Sequence, residues 1–306
     1  MLIAADKFRN IANAIELQLD IFPEHRSYLE KRFSGADEAS LRFADHVADW
    51  VMRIAGEDIG RIWEDYRWLS EMVLEEELHF RRTGAYRLST FEEAFAQVYS
   101  NREFMSRYMN GLLASQLWWR NHTEVLRFFR DRFVAGNVSG FSHLEIGPGH
   151  GLFLHLAASS PGCASAEGWD ISDTSLEATR AALKALGGRG DLHLRKADLF
   201  APPKASFSSI AFSEVLEHLE RPQEALRILH GLLQDGGRIF VNAPVNSPAP
   251  DHIYLFETPE DVVRMVESAG FAIVETLFAP CTGATLDRAR RLKLSISTAI
   301  IATKQA

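Results

Sequence analysis

The chain has 306 residues, 46% hydrophobic and 24% charged, which is the composition of a globular protein with one large domain or two ordinary ones. The net charge of −8 argues against a nucleic-acid partner, and no stretch is long and apolar enough to predict a membrane span. Two cysteines are too few for a disulfide framework and the first residues lack a signal-peptide pattern, so the expected location is cytoplasmic.

Residues 1 to about 140 show only helical patterns. Apolar positions recur every three or four residues between 41 and 55 and again between 59 and 73. Thr90 and Glu93 have the spacing of a capping box, which predicts a helix start.

A single long helix is predicted from about 103 to 133. Trp118, Trp119 and His122 near its middle could form an aromatic wall over a ligand. An aromatic stripe at this spacing is more typical of a hydrophobic core, and both interpretations stay open.

After residues 136–140 strands and helices alternate, which predicts a parallel sheet covered by helices on both faces. The predicted strands are 141–146, 164–169, 191–196, 208–213, 238–243, 271–277 and 294–302. The predicted helices are 152–158, 174–186, 223–233 and 259–269. Thr174 is expected to cap the second of these helices and Thr258 the last. In such a sheet a ligand lies beyond the carboxyl ends of the strands.

A glycine-rich turn joins the first predicted strand to its helix. Gly147 and Gly149 can take positive φ and let a ligand lie against the backbone, and Gly151 lets the helix pack closely on the strand. Asp170 ends the second strand, where a carboxylate can bind both hydroxyls of a ribose. The third glycine comes one residue too early for a dinucleotide site. Glu145, beside the turn, would repel a pyrophosphate but suits a ligand with an ammonium and a sulfonium group.

At this point residues 141–306 resemble the class I S-adenosylmethionine (SAM)-dependent methyltransferases. The resemblance rests on Leu-Glu-Ile-Gly-Pro-Gly-His-Gly at 144–151, Asp170, Lys-Ala-Asp-Leu-Phe at 196–200, Ser-Glu-Val-Leu-Glu-His-Leu at 213–219 and Leu-Gln-Asp-Gly-Gly-Arg-Ile at 233–239. It implies an α/β fold with a Rossmann-like, mostly parallel sheet of seven strands, of which the last is antiparallel. It also implies that SAM is the cofactor. The residues it assigns are Glu145 and the three glycines at the methionine end, Asp170 at the ribose, Asp198 and Leu199 at the adenine, and Ile171 and Ser213 as further contacts.

Glu214, Glu217 and His218 follow the fourth strand at positions i, i+3 and i+4, so a helical turn would put them on one face. His252 follows the fifth strand and can meet them from the side. Two carboxylates and two imidazoles predict a site for a divalent metal (Mg, Mn, Fe or Zn). The pattern is similar to the Glu-x-x-Glu-His…His arrangement of the small-RNA terminal-ribose 2′-O-methyltransferases and to the Glu-Glu-His run of the ubiquinone-pathway O-methyltransferases. That resemblance implies a metal that binds and acidifies the hydroxyl being methylated.

Two other interpretations of these residues stay open. Many class I enzymes carry a similar run without a metal, and His218 or His252 would then be a base or a substrate contact in a metal-independent N- or C-methyltransferase. A purely structural role also fits, because a glutamate at a helix start is favoured by the helix dipole. His252 discriminates between these interpretations, since a plain base needs no second imidazole.

The predicted function is methyl transfer from SAM to a small-molecule acceptor (a natural product or metabolite), at a hydroxyl with metal assistance. Glu214, His218 and His252 are the catalytic candidates. Residues 1–138 are predicted to form a helical lid or homodimerisation domain, and residues 139–306 the SAM-binding domain. An NAD-dependent oxidoreductase and a non-catalytic SAM-binding interaction protein are the alternatives from other classes.

Overall fold

The computed structural model describes residues 3–4, 6–189 and 192–304, so Asp191 of the third predicted strand lies outside the described residues. Seven strands form one sheet: β1 (Phe141–Ile146), β2 (Cys163–Asp170), β3 (His193–Lys196), β4 (Phe207–Ser213), β5 (Leu233–Val245), β6 (Phe271–Pro280) and β7 (Ile296–Lys304). Their order is β3-β2-β1-β4-β5-β7-β6. Neighbours are parallel except that β7 runs antiparallel to both β5 and β6. This confirms the predicted Rossmann-like sheet, whose ligand crevice is expected where the strand order reverses between β1 and β4.

Helices make up the first half of the chain and connect the strands in the second. They are α1 (Arg9–Ile21), α2 (Arg26–Phe33), α3 (Glu38–Ala55), α4 (Ile59–Thr83), α5 (Phe91–Ala94), α6 (Arg102–Trp118), α7 (Arg120–Phe128), α8 (Leu152–Ala158), α9 (Asp173–Ala185), α10 (Pro222–Leu232), α11 (Pro259–Ser268) and α12 (Leu286–Leu292). Two π-helical turns, Phe95–Tyr99 and Phe129–Val134, follow α5 and α7. None of the helices in the described ranges combines the length and the apolar run needed to cross a bilayer.

Most of the helix N-caps predicted from the sequence are present in the structure. A capping box formed by Thr258 and Asp261 begins α11, and the predicted capping box at α5 is also present. The prediction that Thr174 caps α9 is wrong. The side chain of Ser172 accepts the N–H of Ser175, so the helix begins at an earlier residue with an equally good capping side chain.

The predicted single helix over 103–133 is interrupted at Trp119, whose backbone is extended (φ −90°, ψ 119°). The break leaves backbone carbonyls in the last turn of α6 without their helical partners, and side chains outside α6 donate hydrogen bonds to them. The hydroxyl of Thr123 donates to one carbonyl of the last turn of α6 (2.6 Å), and Nε of the buried Arg32 donates to another (3.2 Å). Because Arg32 belongs to α2, the spacing of apolar residues along α6 could not show the break.

One continuous cluster of buried side chains joins the helical half to the sheet. The ring of Phe129 lies 4.9 Å from that of Phe153 in α8 and 5.0 Å from that of Phe240 in β5. Trp118 is fully buried against Trp63, so its ring belongs to the core and not to a ligand wall. Burying a phenylalanine side chain is worth about 1.5–3 kcal/mol, so these contacts hold the helices firmly on the sheet. The domain boundary at 138/139 stays a prediction.

Candidate active site

The turn after β1 has the backbone geometry that its glycines permit. Gly147, Gly149 and Gly151 have φ values of +66°, +49° and +75°. A Cβ on Gly147 would lie 2.9 Å from Cγ2 of Val215, too close without a shift of that neighbour. One on Gly149 would lie 3.4 Å from Cε of Met109, a residue of α6. The helical half therefore comes directly over the turn.

Glu145 lies near the end of β1, two residues before the first glycine of the turn, and is only 2% exposed. Its Oε2 has no hydrogen-bond partner among the described residues. Burial raises the pKa of this carboxyl group well above its usual value. A buried carboxyl oxygen without a partner is costly, so the position fits a ligand with a cationic donor group. The ammonium of SAM is a group of this kind.

Asp170 ends β2 and Asp198 follows β3, at the same edge of the sheet. The two oxygens of Asp170 accept hydrogen bonds from the N–H of Ser172 (2.8 Å) and the hydroxyl of Ser175 (2.7 Å). Burial raises the pKa of Asp170. These bonds orient the carboxylate and leave a lone pair on each oxygen for a ribose diol. Oδ1 of Asp198 accepts the N–H of Phe200 (2.8 Å).

The remaining predicted cofactor residues differ in exposure. Leu199 is buried and Ile171 is 51% exposed. Ser213, at the end of β4, accepts a hydrogen bond from Nδ2 of Asn242 (3.2 Å). The predicted cofactor residues thus follow neighbouring strands along one edge of the sheet, and their individual roles stay predictions.

Glu217, His218 and His252 converge at the same edge, beyond β4 and β5, with one ligand atom of each within 4.8 Å of the others. Nε2 of His218 lies 3.7 Å and Nε2 of His252 4.0 Å from Oε1 of Glu217. The two imidazole rings stand edge to face, 4.9 Å apart. Glu217 is completely buried, and neither of its carboxylate oxygens has a hydrogen-bond partner in the part of the chain that the structure describes.

Backbone carbonyls fix the other nitrogen of each ring. Nδ1 of His218 lies 3.0 Å from the carbonyl of Asp251, and Nδ1 of His252 lies 2.6 Å from the carbonyl of Ser247. A carbonyl only accepts, so each Nδ1 donates a hydrogen and each Nε2 of a neutral ring is left with its lone pair towards Glu217. Imidazoles that bind metals through Nε2 commonly have this support at Nδ1.

The electrostatics of the cluster favour a neutral imidazole at His252 and an un-ionised carboxyl group at Glu217. Burial and, to a smaller extent, His218 lower the pKa of His252 to about 4. Burial raises the pKa of Glu217 well above its usual value, and nearby carboxylates act in the same direction. Burial also opposes ionisation of Asp251, but the two histidines and two tyrosine hydroxyls hold its pKa below the usual value. A cation among these groups would favour the ionised form of Glu217.

Glu214 does not share a helical face with Glu217 and His218, contrary to the expectation from their spacing. Its φ is +55°, and only the short 3₁₀ turn Leu216–His218 follows. Oε1 of Glu214 accepts a hydrogen bond from Nδ2 of Asn242 (2.6 Å), and its carboxylate is not part of the converging group. Burial raises the pKa of Glu214 to about 7. A carboxyl group with this pKa can accept a proton near neutral pH.

Two tyrosines reach the cluster from the helical half, where the sequence indicated an aromatic wall or a homodimer core but not their bonds to Asp251. The hydroxyl of Tyr99 donates to Oδ2 of Asp251 (3.0 Å) and lies 3.3 Å from Nδ1 of His218. The hydroxyl of Tyr108 donates to Oδ1 of Asp251 (2.8 Å). The aromatic residues of this half suit a ligand wall and a homodimer core equally, and no local pattern could show which rings face the site.

A protein-family model described as a methyltransferase domain matches residues 118–276 of the chain. This is more than half of the chain, and the chain belongs to that family. It is a SAM-dependent methyltransferase. No curated protein matches the sequence.

Solved structures share the fold at low sequence identity. An O-methyltransferase family protein from Burkholderia thailandensis is 14% identical, with a TM-score of 0.56 over 81% of this chain and 72% of that one. Human N-acetylserotonin methyltransferase, solved in complex with SAM, is 18% identical, with a TM-score of 0.56 over 81% of this chain and 70% of that one. A putative methyltransferase of Haloferax volcanii, in complex with the activator Trm112, is 15% identical, with a TM-score of 0.51 over 67% of this chain and 97% of that one. At these identities the likeness is one of fold.

Proposed function

We propose that this enzyme methylates a hydroxyl of a small-molecule acceptor, with the help of a divalent cation held by Glu217, His218 and His252. One observation carries the proposal. The buried carboxylate of Glu217 lacks a hydrogen-bond partner among the described residues and faces two Nε2 atoms at 3.7 and 4.0 Å. An uncompensated buried carboxylate costs several kcal/mol, and a cation between the three groups would compensate it.

The ligand set narrows the choice of cation. Two imidazoles with one carboxylate are typical of Fe²⁺ and Zn²⁺ sites, whereas Mg²⁺ prefers oxygen ligands. Mn²⁺ accepts both kinds of ligand. We therefore favour Fe²⁺, Zn²⁺ or Mn²⁺ over Mg²⁺. Three protein ligands leave coordination positions free for an acceptor.

We assign the methionine end of SAM to Glu145 and the glycine turn, the ribose to Asp170, and the adenine to Asp198 and Leu199, with Ile171 and Ser213 as further contacts. When bound, SAM supplies the methyl group and the cation supplies positive charge that lowers the pKa of a hydroxyl. The protein holds the acceptor in line and excludes water. Glu214, with a pKa of about 7, is the candidate that accepts the hydroxyl proton.

We further propose that residues 1–138 form a lid over the acceptor. Met109 lies at the glycine turn, and the ring of Tyr86 stands 5.8 Å from that of His252. The hydroxyl of Tyr86 also accepts the N–H of Ser247 (3.1 Å). A wall of tyrosines suits a small organic acceptor, and the net charge of −8 argues against RNA. The homodimer and the cytoplasmic location stay predictions.

Metal analysis tests the cation site. Protein purified without chelator should contain about one equivalent of metal, and Glu217→Gln should contain almost none. Glu214→Gln is the matched control, because it replaces a buried glutamate three residues away that has its own partner in Asn242. Metal at equal occupancy in wild type and Glu217→Gln would contradict the proposed ligand set.

Methyl transfer tests the reaction. With SAM labelled in its methyl group, we expect label on phenols and alcohols from an acceptor panel, loss of transfer after chelation, and recovery on adding Fe²⁺, Zn²⁺ or Mn²⁺. Transfer to amines or carbon acids that survives chelation would overturn the metal-assisted reaction. A SAM-binding protein without activity on any acceptor would favour the non-catalytic alternative.

The metal-independent alternative has one observation in its favour. Oδ2 of Asp251 lies 3.5 Å from Nδ1 of His218, an arrangement that can orient a histidine base. The two candidates differ in their response to chelation. If His218 is the base, His218→Ala should abolish methyl transfer and chelator should leave it unchanged. If the proposed cation site is correct, both the substitution and the chelator should abolish methyl transfer.

A further inference from the structure

We propose that Tyr99 and Tyr108 of the helical half are positioning residues for the cation site, which they support through Asp251. This inference rests on the proposed cation at Glu217, His218 and His252. Neither tyrosine is proposed to touch the cation.

The first step is the placement of Asp251. Its side chain is buried, and each carboxylate oxygen accepts one tyrosine hydroxyl, Oδ1 from Tyr108 at 2.8 Å and Oδ2 from Tyr99 at 3.0 Å. Hydrogen bonds to a charged acceptor are stronger than those between neutral groups. The two bonds therefore fix the β5–α11 connection, which carries Asp251, to the helical half.

The second step links Asp251 to His218. The carbonyl of Asp251 accepts the hydrogen on Nδ1 of His218 at 3.0 Å. The hydroxyl oxygen of Tyr99 lies 3.3 Å from the same nitrogen while its hydrogen is committed to Asp251. Position and ring rotation of His218 are thus set by Asp251 and Tyr99 together. Only the ring orientation that satisfies Nδ1 directs Nε2 towards Glu217.

The third step concerns the segment that carries Tyr99. Tyr99 ends the π-helical turn Phe95–Tyr99, and its ring stacks on that of Phe91 at 5.9 Å. The N–H of Phe91 donates to Oε1 of Glu220 (2.7 Å), two residues after His218. The segment is therefore anchored to the same loop that carries the proposed ligands, and the helical half completes the site instead of merely covering it.

Cobalt(II) binding tests this inference, because its visible absorption reports both affinity and ligand geometry. We expect Tyr99→Phe and Tyr108→Phe to weaken Co²⁺ binding by about 10- to 100-fold, the usual effect of removing a supporting partner, and to change the absorption band. Tyr28→Phe is the matched control, because it also removes the hydroxyl of a tyrosine in the helical half that donates to a side chain of the sheet half (Thr282, 2.9 Å). It should bind Co²⁺ like the wild type. Binding of S-adenosylhomocysteine, measured by calorimetry, shows that each variant is folded.

The outcomes separate this inference from the proposed function. Wild-type affinity and an unchanged spectrum in Tyr108→Phe would overturn the positioning role while leaving the cation site intact. No Co²⁺ binding by the wild type, with S-adenosylhomocysteine still bound, would overturn the cation site and the inference with it. Equal weakening in Tyr28→Phe would show a general loss of packing and would also overturn the positioning role.

Discussion

Glu217→Met should stabilise the metal-free protein and abolish its response to metal. The side chain of Glu217 is completely buried, and both of its carboxylate oxygens lack hydrogen-bond partners among the described residues. Methionine has a similar length and shape and no group that needs a hydrogen bond. The substitution therefore removes a desolvation cost without opening a large cavity.

The size of the effect follows from that burial. A buried polar group without a partner costs about 1–3 kcal/mol, so the metal-free variant should be more stable than the metal-free wild type by about that amount. A cation at one hundred times its Kd should stabilise the wild type by about 2.7 kcal/mol and leave the variant unchanged. Adding metal should therefore remove or reverse the difference between the two proteins.

Urea denaturation followed by tryptophan fluorescence measures both effects, first with chelator and then with Zn²⁺ in excess. Glu214→Met is the control, because Glu214 accepts a hydrogen bond from Asn242 (2.6 Å) and its loss leaves that amide only the longer bond to Ser213 (3.2 Å). This variant should be less stable than the wild type under both conditions. A chelated wild type that is more stable than Glu217→Met, or a variant that still responds to Zn²⁺, would refute the reasoning.

Three other substitutions test separate parts of the structure. Asp170→Asn removes the charge proposed to bind the ribose and should weaken S-adenosylhomocysteine binding about 10- to 100-fold by calorimetry, since such bonds are worth about 1.5–3 kcal/mol; unchanged affinity would contradict the assignment. Burial lowers the pKa of His143 from 6.5 to about 3, so the unfolded chain takes up a proton first and stability is lost as the pH falls below about 6.5. His143→Leu should remove about 2 kcal/mol of that loss at pH 5, measured as the free energy of unfolding at pH 5 relative to pH 7; an unaltered pH dependence would show that His143 is not its source. Arg32→Met removes the nearer of two donors to the carbonyl of Leu117 and should cost about 1–3 kcal/mol in thermal unfolding, and an unchanged Tm would show that the break in the helix does not need it.

The sequence predicted the sheet well because its signals there are local. β1 (Phe141–Ile146) and α8 (Leu152–Ala158) have the predicted bounds, since three glycines with positive φ end the strand and begin the helix. The antiparallel β7 was implied by the family resemblance and not by periodicity. The break at Trp119 escaped prediction because its carbonyl partners come from α2 and from beyond the break, at distances in sequence that a helical pattern does not contain.

The sequence predicted which residues form the candidate site better than it predicted how they are arranged. The convergence of Glu217 with His218 and His252 follows from the rule that parallel strands end at one edge of a sheet. The contribution of Tyr99 and Tyr108 does not follow from this rule, because long-range packing alone brings the helical half to Asp251.

The backbone at Glu214 explains why helical spacing misplaced one of the metal ligands predicted from the sequence. A left-handed conformation at a residue with a side chain costs about 1–2 kcal/mol, and Glu214 has φ +55°. Two hydrogen bonds to Asn242 offset that cost, from the N–H of Glu214 to the carbonyl (2.8 Å) and from Nδ2 to Oε1 (2.6 Å). The left-handed turn redirects the chain as it leaves β4, so that Glu217 faces the histidines while Glu214 stays hydrogen-bonded to Asn242 of β5. The strain at the end of the strand therefore separates Glu217, the carboxylate proposed to bind a cation, from Glu214, the one proposed to accept a proton.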